Sequence, residues 1–338
     1  MTINVLVVDD SALMRKVLTN VLNDCTGVRV TDAARNGKEA LKLINKNVPD
    51  IITLDVEMPI MNGLETLRAI KEFHSIPVIM LSSKTNEETT FKALELGAED
   101  FIEKPVAISQ NWDYFKTELA KRIKVYFHKE QAPDDKIAKT ELKITSCLEE
   151  RKQTLKAIVI GASTGGPKAL VSIIQSLSEN LTVPVFIVQH MPENFTASFA
   201  HRLNTLASVP VEEAKDGQRV LPGKVYLAPG GKHLVLDGNK MRLTKQPKRH
   251  SVRPAVDYLF ETASTVYGKD TVGIILTGMG KDGAEGCAAI KQQEGYIITQ
   301  DRQTSTVYGM PRAVVDRGLS DQTASLTEIA DILYEMTR

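Results

Sequence analysis

Two groups of side chains in this 338-residue chain have the types and spacing to carry chemistry. The first is Asp9, Asp10, Asp55, Ser82 and Lys104, each at or just past the end of a short apolar run. Three converging carboxylates repel one another unless a cation neutralises them, and hard oxygen ligands of this kind suit Mg²⁺. Asp55 could then attack a phosphoryl group, with the metal and Lys104 neutralising the charge that develops. The second group is Ser163, His190 and Asp282. A hydroxyl, an imidazole and a carboxylate are the parts of a serine nucleophile system. The histidine takes the serine proton, and the aspartate fixes its tautomer and stabilises the imidazolium. The chain order Ser…His…Asp differs from the familiar triads, which is no obstacle because geometry defines a triad.

Both groups need elements that bring them to one edge. In the first part, residues 3–8, 28–31, 51–55, 77–82 and 100–105 read as five strands. Helical patterns lie between them, one opening after a capping Ser11 and one running from Gly37 to about Asn45. This alternation predicts a parallel, doubly wound α/β sheet with the strand-end residues along one edge. Further on, the apolar run 156–160 stops at Gly161-Ala162-Ser163-Thr164-Gly165-Gly166-Pro167, and Pro167 opens a helical pattern. Residues 184–188 form a second apolar run ending in Gln189-His190, and 271–277 a third ending in Gly278-Met279-Gly280-Lys281-Asp282-Gly283. A second, mainly parallel sheet follows, with Ser163, His190 and Asp282 at its strand ends. Residues from about 125 to 153 are charged and weakly periodic, a connector with a helical segment around 137–148.

Each assignment has a rival. Gly161-x-Ser163-x-Gly165 fits a nucleophile elbow but is also close to a dinucleotide-binding loop. A dinucleotide site wants an acidic residue ~20 positions on, at the end of the next strand; Gln189-His190 stands there, so hydride chemistry is the weaker reading. Asp9-Asp10 alone would be helix caps; five strand-end residues together outweigh that. Among His74, His128, His201, His233 and His250, none directly follows a buried strand of the second part as His190 does. Asp216, Asp257 and Asp301 compete with Asp282, which stands in a glycine-rich loop able to present backbone N–H groups. Lys and Arg total 42, balancing 42 Asp and Glu, so the chain carries no global field for nucleic acid or an anionic membrane. No apolar run approaches the ~20 residues of a membrane span, and the start lacks a signal-peptide pattern. Cys25, Cys147 and Cys287 are too scattered for a disulfide framework or a thiolate metal site. The basic run 245–253 reads as a solvated face. A soluble, cytoplasmic protein is expected.

Residues 1–124 resemble a response-regulator receiver domain. The resemblance is carried by Asp9-Asp10, the segment Leu54-Asp55-Val56-Glu57-Met58-Pro59, Ser82, Phe101 and Lys104-Pro105. It implies a flavodoxin-like fold, Mg²⁺ held at Asp9, Asp10, Asp55 and Glu57, phosphorylation of Asp55 by a histidine kinase, and a switch made of Ser82, Phe101 and Lys104. Residues 153–338, after a linker over 125–152, resemble the methylesterase domain of chemotaxis, the CheB family. The matching blocks are Gly161 to Pro167, Gln189-His190-Met191-Pro192, Ala228-Pro229-Gly230-Gly231-Lys232-His233, Leu276 to Gly283 and Tyr308-Gly309-Met310-Pro311. This implies hydrolysis of glutamate γ-methyl esters on chemoreceptors, with deamidation of glutamines. Ser163, His190 and Asp282 would be catalytic, with the Met279 backbone N–H and Thr164 stabilising the oxyanion. No cofactor in the esterase domain, no nucleic-acid partner and no membrane insertion are implied.

Overall fold

The computed structural model describes residues 2–83, 87–105, 112–129 and 152–338. The chain divides into two compact units, Met1–Pro133 and Asp134–Arg338.

In the first unit, strands β1 (Ile3–Val8), β2 (Val28–Ala34), β3 (Ile51–Asp55), β4 (Val78–Ser82) and β5 (Asp100–Glu103) alternate with helices α1 (Ala12–Asn23), α2 (Gly37–Lys46), α3 (Gly63–Phe73), α4 (Glu87–Glu95) and α5 (Trp112–Lys129). The strands pair in parallel in the order β2-β1-β3-β4-β5. β3 and β4 are buried along their whole length, as strands covered on both faces must be. Polar caps start α1, α2 and α3. Ser11 accepts from the Met14 N–H, Asn36 from Glu39, and Asn62 and Glu65 form a reciprocal capping box.

The receiver is expected to end at 124, and helix α5 continues to Lys129. Tyr126 is the reason: it is buried, and its hydroxyl donates to the Glu99 carbonyl at 3.0 Å. Charged neighbours hide this apolar anchor in the sequence. The helical segment expected around 137–148 lies outside the described residues, as does Cys147.

The second unit has β6 (Ala157–Ala162), α6 (Gly166–Gln175), β7 (Val185–Gln189), α7 (Glu193–Leu206), β8 (Val211–Glu213), β9 (Val225–Leu227), β10 (His233–Asp237), β11 (Lys240–Thr244), α8 (Val256–Tyr267), β12 (Thr271–Ile275), α9 (Ala284–Gln292), β13 (Tyr296–Gln300), α10 (Met310–Val315), β14 (Gln322–Ala324) and α11 (Leu326–Thr337). Seven strands form a parallel sheet in the order β14-β13-β12-β6-β7-β9-β8, and β10-β11 is a separate antiparallel hairpin. β6 is central: the chain winds outward through β7 on one side, then returns to build β12, β13 and β14 on the other. That reversal makes a switch point, where the loops beyond the carboxyl ends part and leave a crevice. A core of Phe186, Tyr226, Val256, Phe260, Ile275 and Ile297 closes one side of the sheet. Among the described residues, no helix is long and apolar enough to cross a membrane.

Candidate active site

The acidic edge of the first unit forms as expected. Asp9, Asp10 and Asp55 each place a carboxylate oxygen within 4.8 Å of the others. Lys104 Nζ reaches Asp9 Oδ2 at 3.2 Å and Asp55 Oδ2 at 2.7 Å. Burial pushes the Asp55 carboxyl up to about 6; Lys104 opposes that rise, while Asp9 and Asp10 add to it. Asp9 is raised by burial too, against the pull of Lys104. Hard oxygens whose mutual repulsion is this costly fit a divalent cation such as Mg²⁺. Glu57 does not join the trio. Its side chain is exposed, two residues beyond the strand end, so only its main-chain carbonyl is left as a ligand from that position. Ser82 is buried, its Oγ 2.7 Å from Thr90 Oγ1 on α4, and Phe101 packs edge-on against Phe91 at 6.0 Å.

In the second unit, Ser163 follows β6 directly, His190 follows β7, and Asp282 lies in the loop after β12. The turn at Ser163 depends on its glycines. Gly165 has φ +77°, and a Cβ there would meet Thr306 Cβ at 2.4 Å; one on Gly166 would lie 2.0 Å from Gln189 Oε1. The left-handed residue is therefore Gly165, not the serine, which departs from the strained-serine elbow. Main-chain bonds tie the three strand ends together. The Ser163 N–H donates to Thr277 O at 3.0 Å, Thr277 Oγ1 to Thr164 O at 2.9 Å, and the His190 N–H to Ala162 O at 3.1 Å. Gly278 faces the nucleophile, because a Cβ on it would lie 2.8 Å from Ser163 Cβ.

His190 Nε2 and Asp282 Oδ2 are 2.7 Å apart, with the two side chains 11% and 1% exposed. The same carboxylate accepts backbone N–H groups from Val256 at 2.7 Å, Asp257 at 3.1 Å and Gly283 at 2.9 Å. Burial would raise Asp282, but the His190 bond and these donors win and hold it below the ordinary carboxylate value. Ser163 is half-buried, and its Oγ makes no hydrogen bond among the described residues. The Thr164 and Met279 N–H groups likewise have no acceptor among the described residues, so both are unspent donors close to the serine.

The rival residues have other places. His233 is buried, its Nδ1 accepting from the Ala255 N–H at 3.1 Å. Asp216 accepts from the Leu243 N–H, and Asp301 caps the turn at Thr304. Sequence reasoning missed two contributors. Gln189 Nε2 donates to both the Ser163 and His190 carbonyls, at 2.9 and 3.0 Å, strapping nucleophile and base together. Gln300 Oε1 accepts from the Thr277 N–H at 2.7 Å. Both are polar residues ending buried strands, and that position was the available signal.

Fold and site together define a receiver joined to a parallel-sheet α/β unit with a Ser-His-Asp rim at its switch point. The comparisons narrow that class. A family model described as CheB methylesterase matches residues 158–333, and one described as response regulator receiver domain matches residues 5–113. A relative from Pyrococcus abyssi, named protein-glutamate methylesterase/protein-glutamine glutaminase, is 44% identical over 97% of this chain and 92% of its own length. One of the same name from Clostridium acetobutylicum is 42% identical over 99% and 98%. The crystal structure of the Thermotoga maritima CheB methylesterase catalytic domain is similar at 42% identity and TM-score 0.52, covering 54% of this chain and 98% of that one. The chain belongs to the CheB methylesterase family and carries a response-regulator receiver domain.

Proposed function

We propose that this chain hydrolyses glutamate γ-methyl esters on chemoreceptors, and deamidates receptor glutamines, under the control of phosphorylation at Asp55. The observation that carries the reading is the buried 2.7 Å His190–Asp282 pair on the rim that also bears Ser163. Ser163 Oγ attacks the ester carbonyl. His190 Nε2 is engaged by Asp282, so Nδ1 is the nitrogen that takes the serine proton, the reverse of the usual template. The Met279 N–H, with Thr164 beside it, receives the oxyanion. His190 returns the proton to the departing methanol, or to ammonia from a glutamine, and water then releases the acyl group by the same steps. No cofactor takes part in these steps.

On the receiver, Asp9, Asp10 and Asp55 would hold Mg²⁺, which neutralises the charge developing on a transferred phosphoryl group. Asp55 takes the phosphoryl group from a histidine kinase, and Lys104 screens the added charge of about −1.5 to −2. Ser82, Phe101 and Lys104 are the residues placed to respond. The substrate glutamates lie on the cytoplasmic part of the receptors, so the protein works in the cytoplasm, without nucleic acid and without inserting into the membrane.

Methanol release from methylated receptor membranes tests the reading. Ser163→Ala should cost several orders of magnitude in rate while the fold survives. A variant that keeps a tenth of wild-type release removes Ser163 from the nucleophile's role.

A further inference from the structure

Asp282 is one half of a reciprocal arrangement. It accepts the N–H groups of Val256 and Asp257, the first two residues of α8. Asp257 returns the contact: its Oδ1 accepts from Gly283 at 2.9 Å and Gly286 at 2.8 Å, at the start of α9. Each aspartate thus caps the helix that the other begins or precedes, with both essentially unexposed. Asp257 Oδ2 then meets His250 Nε2 at 3.0 Å. The result is a second histidine–aspartate pair set against the first.

Three features make this pair more than a cap. The Asp257 and Asp282 carboxylates, with His250, come within 4.8 Å of one another, so the triad's anion works beside a second negative charge. Their oxygens are already taken by N–H donors, which argues against a cation site. Gly283, the joint between the loop and α9, has φ +93°, a backbone conformation that a residue with a side chain would adopt only under strain. The chain also accepts left-handed conformations at two non-glycine residues, His250 (φ +49°) and Ser251 (φ +65°), where the imidazole is presented.

We propose that Asp257 and His250 are positioning residues for the esterase reaction: Asp257 fixes the loop carrying Met279 and Asp282, and the pair's net charge sets the field in which His190 takes the serine proton. Other groups acting on this cluster are buried Cys287, the Glu285–Arg317 pair, Lys281, and His233 beside Asp282. Tyr258 and Glu261, held by Arg249, stand on α8 beside the pair. All of these stay unchanged in the variants below. Burial and the neighbouring Asp282 raise the Asp257 carboxyl, the Gly286 N–H and His250 oppose that rise, and a negative charge on Asp257 favours the imidazolium.

This rests on the esterase reading for its biological meaning, but its test does not need the receptor. In the whole chain, Ser163 is labelled by a small fluorophosphonate and the labelling rate is followed against pH. The serine oxygen displaces fluoride while its proton passes to His190. Asp257→Asn, which keeps a carbonyl acceptor for α9 but removes the charge, should slow labelling about tenfold. It should also move the acid limb of the profile to lower pH by about half a unit or more. His250→Gln, at a partly exposed position, should move the limb the other way, because Asp257 is then never compensated. Limbs that stay in place, or that move in the same direction, in variants with wild-type melting overturn the proposal. If Asp257→Asn does not fold, the His250→Gln limb decides alone. Methanol release run in parallel separates the two claims. Limb shifts without methanol release leave the positioning roles standing and remove the receptor ester as substrate.

Discussion

Asp282 has four hydrogen-bonding partners, and only one of them is the base. Asp282→Asn therefore has two expected effects. Its amide nitrogen cannot accept the Val256 N–H or the histidine's, leaving buried donors unpaired at about 1–3 kcal/mol. kcat should fall far more than KM, and Tm should drop by several degrees; a variant that raises KM alone would place Asp282 in substrate binding instead. The receiver's Asp55 gives a pH prediction. Its carboxyl stands at about 6 folded against 3.8 ordinarily, and its side chain is 5% exposed. The folded state binds this proton more tightly, so the contribution is fully present below about pH 4 and lost as pH rises through 6. That is at most about 3 kcal/mol. Mg²⁺ should consequently stabilise the receiver more at pH 7.5 than at pH 5. Trp112, the chain's single tryptophan, lies on α5 and reports that unit's melting by fluorescence; equal Mg²⁺ effects at both pH values would refute the linkage. At this scale Ser163, His190 and Asp282 were legible because each closes a local pattern. Gln189 and Asp257 were not, because the bonds of Gln189 to the Ser163 carbonyl and of Asp257 to the Gly283 and Gly286 N–H groups span 26, 26 and 29 residues of chain.

Elements were readable to the extent that burial was continuous. β1, β3, β4, β6, β7 and β12 are short apolar runs with helices on both sides, and their sequences say so. β13 is equally buried but ends in Thr299 and Gln300, and no strand was assigned to it. β8, β9 and β14 have three residues each, too few for any period to register. The loop between β12 and α9 is where element geometry and chemistry meet. Gly278 lies against Ser163 Cβ, and a Cβ added to it would also come within 2.3 Å of Met310 Sδ, a fully buried side chain. Gly278→Ala should destabilise by about 1–3 kcal/mol and lower kcat at least tenfold by displacing the nucleophile. Melting and methanol release measure the two effects, and wild-type kcat in a destabilised variant would show that the loop yields without moving Ser163.

At the scale of the molecule, both units gather their working residues at the carboxyl edge of a parallel sheet, and in the second unit these fall on either side of its first strand. A receiver that performs no ester chemistry can act only by restraining the esterase or by assembling its site. If its resting state restrains the enzyme, residues 153–338 alone should release methanol faster than the unphosphorylated whole chain. Asp55→Asn in the whole chain should ignore any phosphodonor. A fragment as slow as the resting enzyme would mean that the receiver assembles the site instead. The ties holding the rim have a separate consequence. Ser163, His190 and the Thr277 loop are registered by main-chain bonds and by Gln189, Thr277 and Gln300, none of which the proposed reaction asks to touch the ester. The side chains that keep the hydrolytic head in register are therefore separate from the groups that meet the ester, so a change of ester need not disturb the ties.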